Sequence, residues 1–334
     1  MAFNVSLPKV QLYIDQAWVD PIQKADLQAE VEALRMHLTK QTARVEPIIS
    51  GTGRNAKKIT KTIYWQDFCN LTTEACSDDC VQTSAASDDT EMDVTISTCR
   101  QIEFAYTEKQ FYTTPHDPNQ TIAMALAARM KTMDEYLNTQ FLAFLEANKG
   151  VHQYEIQGGT ADGNDWVLPA ENWDEDLIPQ LQLAARFSKF NRPYLLDGTN
   201  LWAKVYKAGY YSANADGKGE NLLFNTFPYV FDPLTINTVA PNKTYMVNSS
   251  AVALVHGNYY GDAREEAAPG HFRYRIQSRN LPGIFYDVVE KVTCTSNDIL
   301  QSWQLKANFN FFLNPKGCDT DITGILAFEK GAGA

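Results

Sequence analysis

Apolar residues recur at helical spacing through residues 119–149, a run of some 30 residues. At about 1.5 Å of rise per residue it reaches roughly 45 Å. Ile122, Leu126, Met130, Met133, Leu137, Phe141, Phe144, Leu145 and Asn148 fall mostly on one side. Asp117-Pro118-Asn119-Gln120-Thr121 supplies the chemistry of a helix start, and Gly150 is expected to end it as a C′ glycine. A rod of that length exceeds the diameter of a small domain. It suits a protein that tiles a large surface, because a long strut stiffens a thin plate. The Met and aromatic stripe reads as packing surface rather than as a cofactor box.

β-rich stretches stand on both sides of the rod. Before it, Asp20 and Pro21 predict a capped helix whose stripe is Leu27, Val31, Leu34 and Leu38. Residues 1–55 are therefore expected to hold one helix and much extended chain, an arm without its own core. Ile59, Thr62, Ile63, Tyr64 and Trp65 predict a strand over 58–68. Residues 72–93 follow, rich in Asp and Glu and free of Lys and Arg. Alternation returns at Met92, Val94 and Ile96, then at Ile102, Phe104 and Tyr106. The pattern describes a two-stranded ribbon with a solvated tip. Such a ribbon is marginal alone in water and needs something to lie against.

Beyond the rod the periods mix. Residues 158–164 and 214–220 read as turns, and a helix is expected over 174–190 with Leu177, Ile178, Leu181, Ala184, Ala185 and Phe187 inward. Residues 193–198 read as a short buried strand and 199–207 as a helix. Tyr245-Met-Val-Asn248 reads as a strand end, with Ser249 or Ser250 capping a short helix through Val255. From Phe272 onward the chain is nearly all strand.

Composition narrows the functional classes. The chain has 334 residues, 44% hydrophobic and 21% charged, which fits a folded globular protein of two or three domain-sized units. No apolar run approaches the length of a membrane-spanning helix. The first eight residues lack a basic region followed by an apolar stretch, so no secretory signal is expected. The sequons at Asn4, Asn70, Asn119, Asn242 and Asn248 then read as chance matches in a cytoplasmic chain. A net charge of -11 argues against gripping nucleic acid with the whole surface. Residues 1–61 nevertheless carry nine Lys/Arg against six Asp/Glu, a basic arm beside an acidic body.

No catalytic, cofactor or metal residue is assigned. Cys69, Cys76, Cys80 and Cys99 are separated by six, three and eighteen residues, and only Cys76–Cys80 has zinc-pair spacing. Free thiols are the leading reading, ahead of a disulfide stapling the ribbon tip and of a zinc site. Cys294 and Cys318 are expected to be packed thiols. His37, His116, His152, His256 and His271 form no metal-ligand pair, and no nucleophile elbow or phosphate-cradling loop is present. Glu171, Asp174, Glu175 and Asp176 cluster where the positive end of a helix dipole favours them.

Two stretches carry a family likeness: Phe190-Asn-Arg-Pro-Tyr-Leu-Leu-Asp-Gly-Thr-Asn-Leu-Trp202 and Tyr245-Met-Val-Asn-Ser-Ser-Ala-Val-Ala-Leu254. With the order of the other pieces, they resemble the major capsid protein of tailed double-stranded DNA bacteriophages, the Hong Kong 97-type fold. The resemblance implies an α+β chain. Its parts are an N-terminal arm (1–55), an extended β-ribbon loop (56–115), a peripheral domain (116–173) with spine helix 119–149, an axial α/β domain (174–270) and closing strands (271–334). It implies a structural protein, not an enzyme, without cofactor. Such a chain is made in the host cytoplasm and self-assembles into the hexamers and pentamers of an icosahedral virion shell. The shell encloses double-stranded DNA without sequence-specific binding, and its further partners would be scaffold, portal and decoration proteins. Two alternatives stand beside it. One is an encapsulin-like compartment around protein cargo. The other is a carbohydrate-active enzyme or binding module, suggested by scattered carboxylates and by aromatics such as Trp166, Trp173 and Trp202, which also suit core or interface anchors.

Overall fold

The computed structural model describes residues 5–40, 48–49, 59–66, 89–113, 117–174, 176–204, 228–294, 298–313 and 322–331. Among its described residues the arm holds three helices where one is expected: α1 (Leu7–Val19), α2 (Pro21–Leu27) and α3 (Glu32–Lys40). Asp20 does cap α2, its Oδ1 accepting from the amides of Ile22 at 2.9 Å and Gln23 at 3.3 Å. The helix cannot run on through Ala29 and Glu30, because their backbone groups are bonded to side chains of the body. α1 has its own stripe of Leu7, Val10, Ile14 and Ala17, with Pro8 in the first turn. These residues and Leu34 join the main hydrophobic core.

Strand β1 (Ile48–Ile49) pairs in parallel with β10 below. β2 (Ile59–Gln66) and β3 (Asp89–Ile96) form the ribbon, in register from Ile59 opposite Ile96 to Gln66 opposite Asp89. Residues 67–88, with Cys69, Cys76 and Cys80, lie outside the described residues. β4 (Thr98–Thr107) follows after one residue and leads into a short α4 (Glu108–Thr113).

The rod is α5 (Pro118–Ala147), with Asp117 accepting from the Asn119 amide at 2.9 Å. Its end differs from expectation. Asn148 is the cap, bonding Phe144 O through both its backbone and its side-chain amide. Gly150 has no left-handed φ and instead donates to Ile325 O at 2.8 Å. α5 is buried on more than one side, because arm and sheet wrap it.

After α5 come the hairpin β5 (Thr160–Asp162) and β6 (Asp165–Leu168), α6 (Leu177–Phe187), β7 (Pro193–Asp197), β8 (Tyr229–Phe231), α7 (Pro233–Val239) and β9 (Lys243–Asn248). β10 (Val252–Asn258), β11 (Glu265–Ala268), β12 (His271–Gln277), β13 (Phe285–Cys294), β14 (Ile299–Leu313) and β15 (Ile325–Lys330) complete the chain. Of the helix expected over 199–207, residues 202–204 are helical and the rest beyond lies outside the described residues, as does the turn 214–220. The short helix expected through Val255 is strand β10. Its Val-Ala-Leu-Val run is buried and paired with β14, where β-branched residues pack well.

Two main sheets flank the rod. The six-stranded sheet runs β5-β6-β15-β9-β7-β8. Its central strands are buried on both faces: Tyr194, Leu196, Tyr245 and Val247 face the main core, while Leu195, Met246 and Leu326 face α6 in a second cluster. The seven-stranded sheet is organised by β14. Residues Leu300 to Phe309 of β14 pair with β4 on one side. The other side is shared, by β13 up to Lys306 and by β10 from Asn308 onward. Trp303, Leu305, Ala307, Phe309 and Phe311 turn inward, alternating with wetter residues, so one face is packed and the other faces out. The sheets cut across the expected boundary at 270, since β10 and β11 join the closing strands and β15 returns to the other sheet.

Candidate functional site

The elements meet at α5, and buried polar side chains on that helix make the joints. Asn138 is fully buried. Its Oδ1 accepts from the Leu34 amide at 2.8 Å, and its Nδ2 donates to Glu30 O at 3.1 Å, Asp232 Oδ2 at 2.8 Å and Thr235 Oγ1 at 3.1 Å. Asp232 Oδ2 also accepts from the Ala33 amide at 3.2 Å. The reason lies in the local sequence. α3 starts at Glu32 after Val31, which has no side-chain acceptor, so the first-turn amides are orphans. Residues more than ninety positions away cap that helix, and in doing so they fasten the arm to α5 and α7.

One turn earlier, Asp134 accepts from Ser278 Oγ at 2.9 Å, Asn280 Nδ2 at 2.8 Å and the Tyr286 hydroxyl. Asn280 Oδ1 in turn accepts from the Ala29 amide at 3.1 Å. Burial pushes the Asp134 carboxyl up to about 6, against the opposing pull of those donors. Where the partner of β14 changes from β13 to β10, Asp287 receives the amides of Tyr259 at 2.9 Å and Tyr260 at 3.3 Å, together with the Asn308 side chain. It too is raised to about 6 by burial. At the C-terminal end of α5, Lys149 and Lys243 each bridge Glu146 and Asp165 at 2.6–2.8 Å. Burial opposes ionisation of Glu146 and Lys243, yet the lysine bonds hold Glu146 below its ordinary range and the carboxylates hold Lys243 above its own.

The expected chemistry-bearing residues are scattered. His37 stacks on Phe141 at 4.8 Å and meets the Tyr194 hydroxyl through Nδ1 at 2.7 Å, and burial pushes it down to about 4. His152 bonds Ala327 O, and His256 is buried in β10. His116 and Cys318 lie outside the described residues. Cys99 is a free, exposed thiol. So is Cys294, which was expected to be packed but stands at the last position of β13, where the strand leaves the core. Among the described residues no group of three His, Cys, Asp or Glu is placed to hold a metal. Trp166 and Trp173 are core anchors bonding Ile156 O and Leu168 O, whereas Trp202 is partly exposed. The turn at Gly163-Asn164 is the tight link of the β5–β6 hairpin, with Gly163 at φ 59°. No described helix is long and apolar enough to cross a membrane.

Sequence reasoning missed the Asn138 and Asp134 joints. The one available signal was a pair of polar residues inside the apolar stripe of a buried helix. What the joints can do is mechanical: they tie the arm, both sheets and α7 to one rod with bonds that depend on geometry.

No protein-family model matches the sequence, and no curated protein matches it. Among solved structures, a chain of the cyanophage A-1(L) capsid asymmetric unit superposes with a TM-score of 0.52 at 14% identity, over 81% of this chain and 88% of that one. A chain of the cyanophage P-SCSP1u capsid superposes with a TM-score of 0.50 at 11% identity, over 89% of this chain and 88% of that one. The mixed α/β fold described above is therefore one found in phage capsid chains. At these identities the likeness is one of backbone, reached by sequences that have little in common.

Proposed function

We propose that the chain is the major capsid protein of a tailed bacteriophage, a structural subunit that assembles into the hexamers and pentamers of an icosahedral shell around double-stranded DNA. The observation that carries this reading is the shared fold, which spans more than four fifths of this chain and of each cyanophage capsid chain. In this reading the arm, the ribbon β2–β3, the spine α5, an axial region around β7–β9 and the closing strands correspond to the parts of a Hong Kong 97-type subunit. Its work is mechanical, and the buried joints along α5 support that role by linking every layer to one strut. Closed shells need one subunit to make several different contacts around rotation axes. A two-stranded ribbon with no core of its own is reasonable when a neighbour covers it.

The test is electron microscopy of the purified protein, with size-exclusion chromatography beside it. Closed shells or capsomer rings are expected. A monodisperse monomer under all assembly conditions, including with the products of adjacent genes, overturns the proposal. Shells filled with a cargo protein in place of nucleic acid would redirect it to an encapsulin-like compartment.

A further inference from the structure

Helix α6 carries opposite charges at its two ends and an apolar face between them. At the C-terminal end Arg186, Lys189 and Arg192 are exposed, no Asp or Glu occurs from Leu177 to Arg192, and none of the three cations forms an ion pair among the described residues. Between them stands Phe187, 55% exposed, with Leu183 one turn back at 41%. Phe187 stacks on Tyr154 at 5.1 Å and 20° between planes, which holds its outer face in one orientation. At the N-terminal end a cleft of about 320 Å³ opens beside the turn at 156–158. Asp174, Asp176, Asn172 and Gln180 supply its polar lining, Leu168 and Leu177 its apolar lining. Glu171, exposed, directly precedes the lining residue Asn172 in the chain.

The two ends are complementary in chemistry. An aromatic flanked by cations projects at one, and a cleft with carboxylates and an apolar lining opens at the other. They cannot satisfy each other within one chain, because 11 helical residues hold them roughly 16 Å apart. A second copy of the chain can present the missing half. Because projection and cleft are different patches, the contact is head-to-tail, and repetition by rotation closes a ring.

We propose that the C-terminal end of α6, with Phe187, Arg186 and Arg192, docks into the acidic cleft at the N-terminal end of α6 in a neighbouring copy. This rests on the shell reading and identifies one of its subunit contacts. The experiment uses the full chain in four forms: wild type, E171K/D176K, R186E/R192E and the combination of all four substitutions. Sedimentation velocity and electron microscopy score rings and shells, and circular dichroism scores folding. Each one-ended reversal sets like charges face to face and is expected to lower assembly at least ~10-fold, while the combination, which restores opposite charges, recovers it. If a reversed chain fails to fold, the neutral pairs E171Q/D176N and R186Q/R192Q take its place, with a smaller loss expected from each. Wild-type shells together with reversals that assemble equally well, or a combination no better than its parents, overturn this contact and leave the shell reading standing. A wild type that stays monomeric overturns both.

Discussion

Asn138 fastens the arm through its amide, which satisfies a helix-start N–H and a carbonyl that it shares with the Thr235 hydroxyl. Asn138→Ala leaves the buried Leu34 amide without its acceptor, at about 1–3 kcal/mol, while Glu30 O keeps the Thr235 hydroxyl. A loss of about 1–3 kcal/mol in urea denaturation is expected, with hydrogen exchange at the Ala33 and Leu34 amides accelerating first. Unchanged protection there would show that the arm is held by apolar packing alone. Asp134 and Asp287 set a pH dependence. Their folded-state values of about 6 exceed the ordinary 3.8, so the folded chain binds more protons than the unfolded chain between about pH 4 and 6. Each carboxyl therefore contributes stability that falls as pH rises through that window, by roughly 3 kcal/mol, and is not regained above it, while His37, lowered to about 4, contributes the opposite slope over the same window. Asp134→Asn should remove the Asp134 share, so that the change in stability from pH 4 to 7 in denaturation curves becomes more positive by roughly 3 kcal/mol. A slope identical to wild type would mean that Asp134 ionises at its ordinary value in the folded chain.

At the scale of elements, α6 ends in a Schellman motif: Phe190 N donates to Ala185 O at 2.9 Å and Lys189 N to Arg186 O at 3.0 Å. Lys189 occupies the left-handed C′ position at φ 56°, where glycine is the usual residue. Lys189→Gly should raise stability by about 0.5–1 kcal/mol, read as a higher melting temperature; a lower one would mean that the lysine charge at the helix C-terminus outweighs the backbone strain. This stretch also shows how far local pattern reaches. Leu177, Leu181, Ala184 and Ala185 are buried as their spacing predicts, yet Phe187 is exposed. Its position on the helix follows from the period, but which side of the helix meets a sheet depends on where the sheet lies. The missed α1 is a different case. Its stripe of Leu7, Val10, Ile14 and Ala17 is present in the sequence, but no side-chain cap marks its start as Asp20 marks that of α2.

For the whole molecule, the strands of the ribbon hydrogen-bond to each other and form a sheet separate from the two main ones. Gln66 and Asp89 stand opposite each other in register, so a two-residue Asn-Gly turn can replace residues 67–88 and close the hairpin. The shortened chain should fold with an unchanged melting temperature but yield fewer or weaker shells, scored by electron microscopy after heating. Shells as robust as wild type would remove the ribbon from the assembly contacts. The basic arm and acidic body fit a chain whose copies meet through unlike surfaces, as does the charge asymmetry of α6.

The linear sequence alone determined the rod, the ribbon strands, the buried strand at Pro193–Asp197 and the closing strands, because each is written in a local period or a local cap: 3.6 residues for α5, two for β14, Asp117 and Asp20 at helix starts. Tertiary structure decided what period cannot carry. It broke the second arm helix by taking the backbone of Ala29 and Glu30 into side-chain bonds, and it capped α3 with Asn138 and Asp232. It made Val252–Asn258 a strand by offering β14 as a partner, and it divided one side of that strand between β13 and β10. Hydrogen-bond partners 104 to 251 residues apart leave no periodic trace, so those joints appear only when the chain is folded.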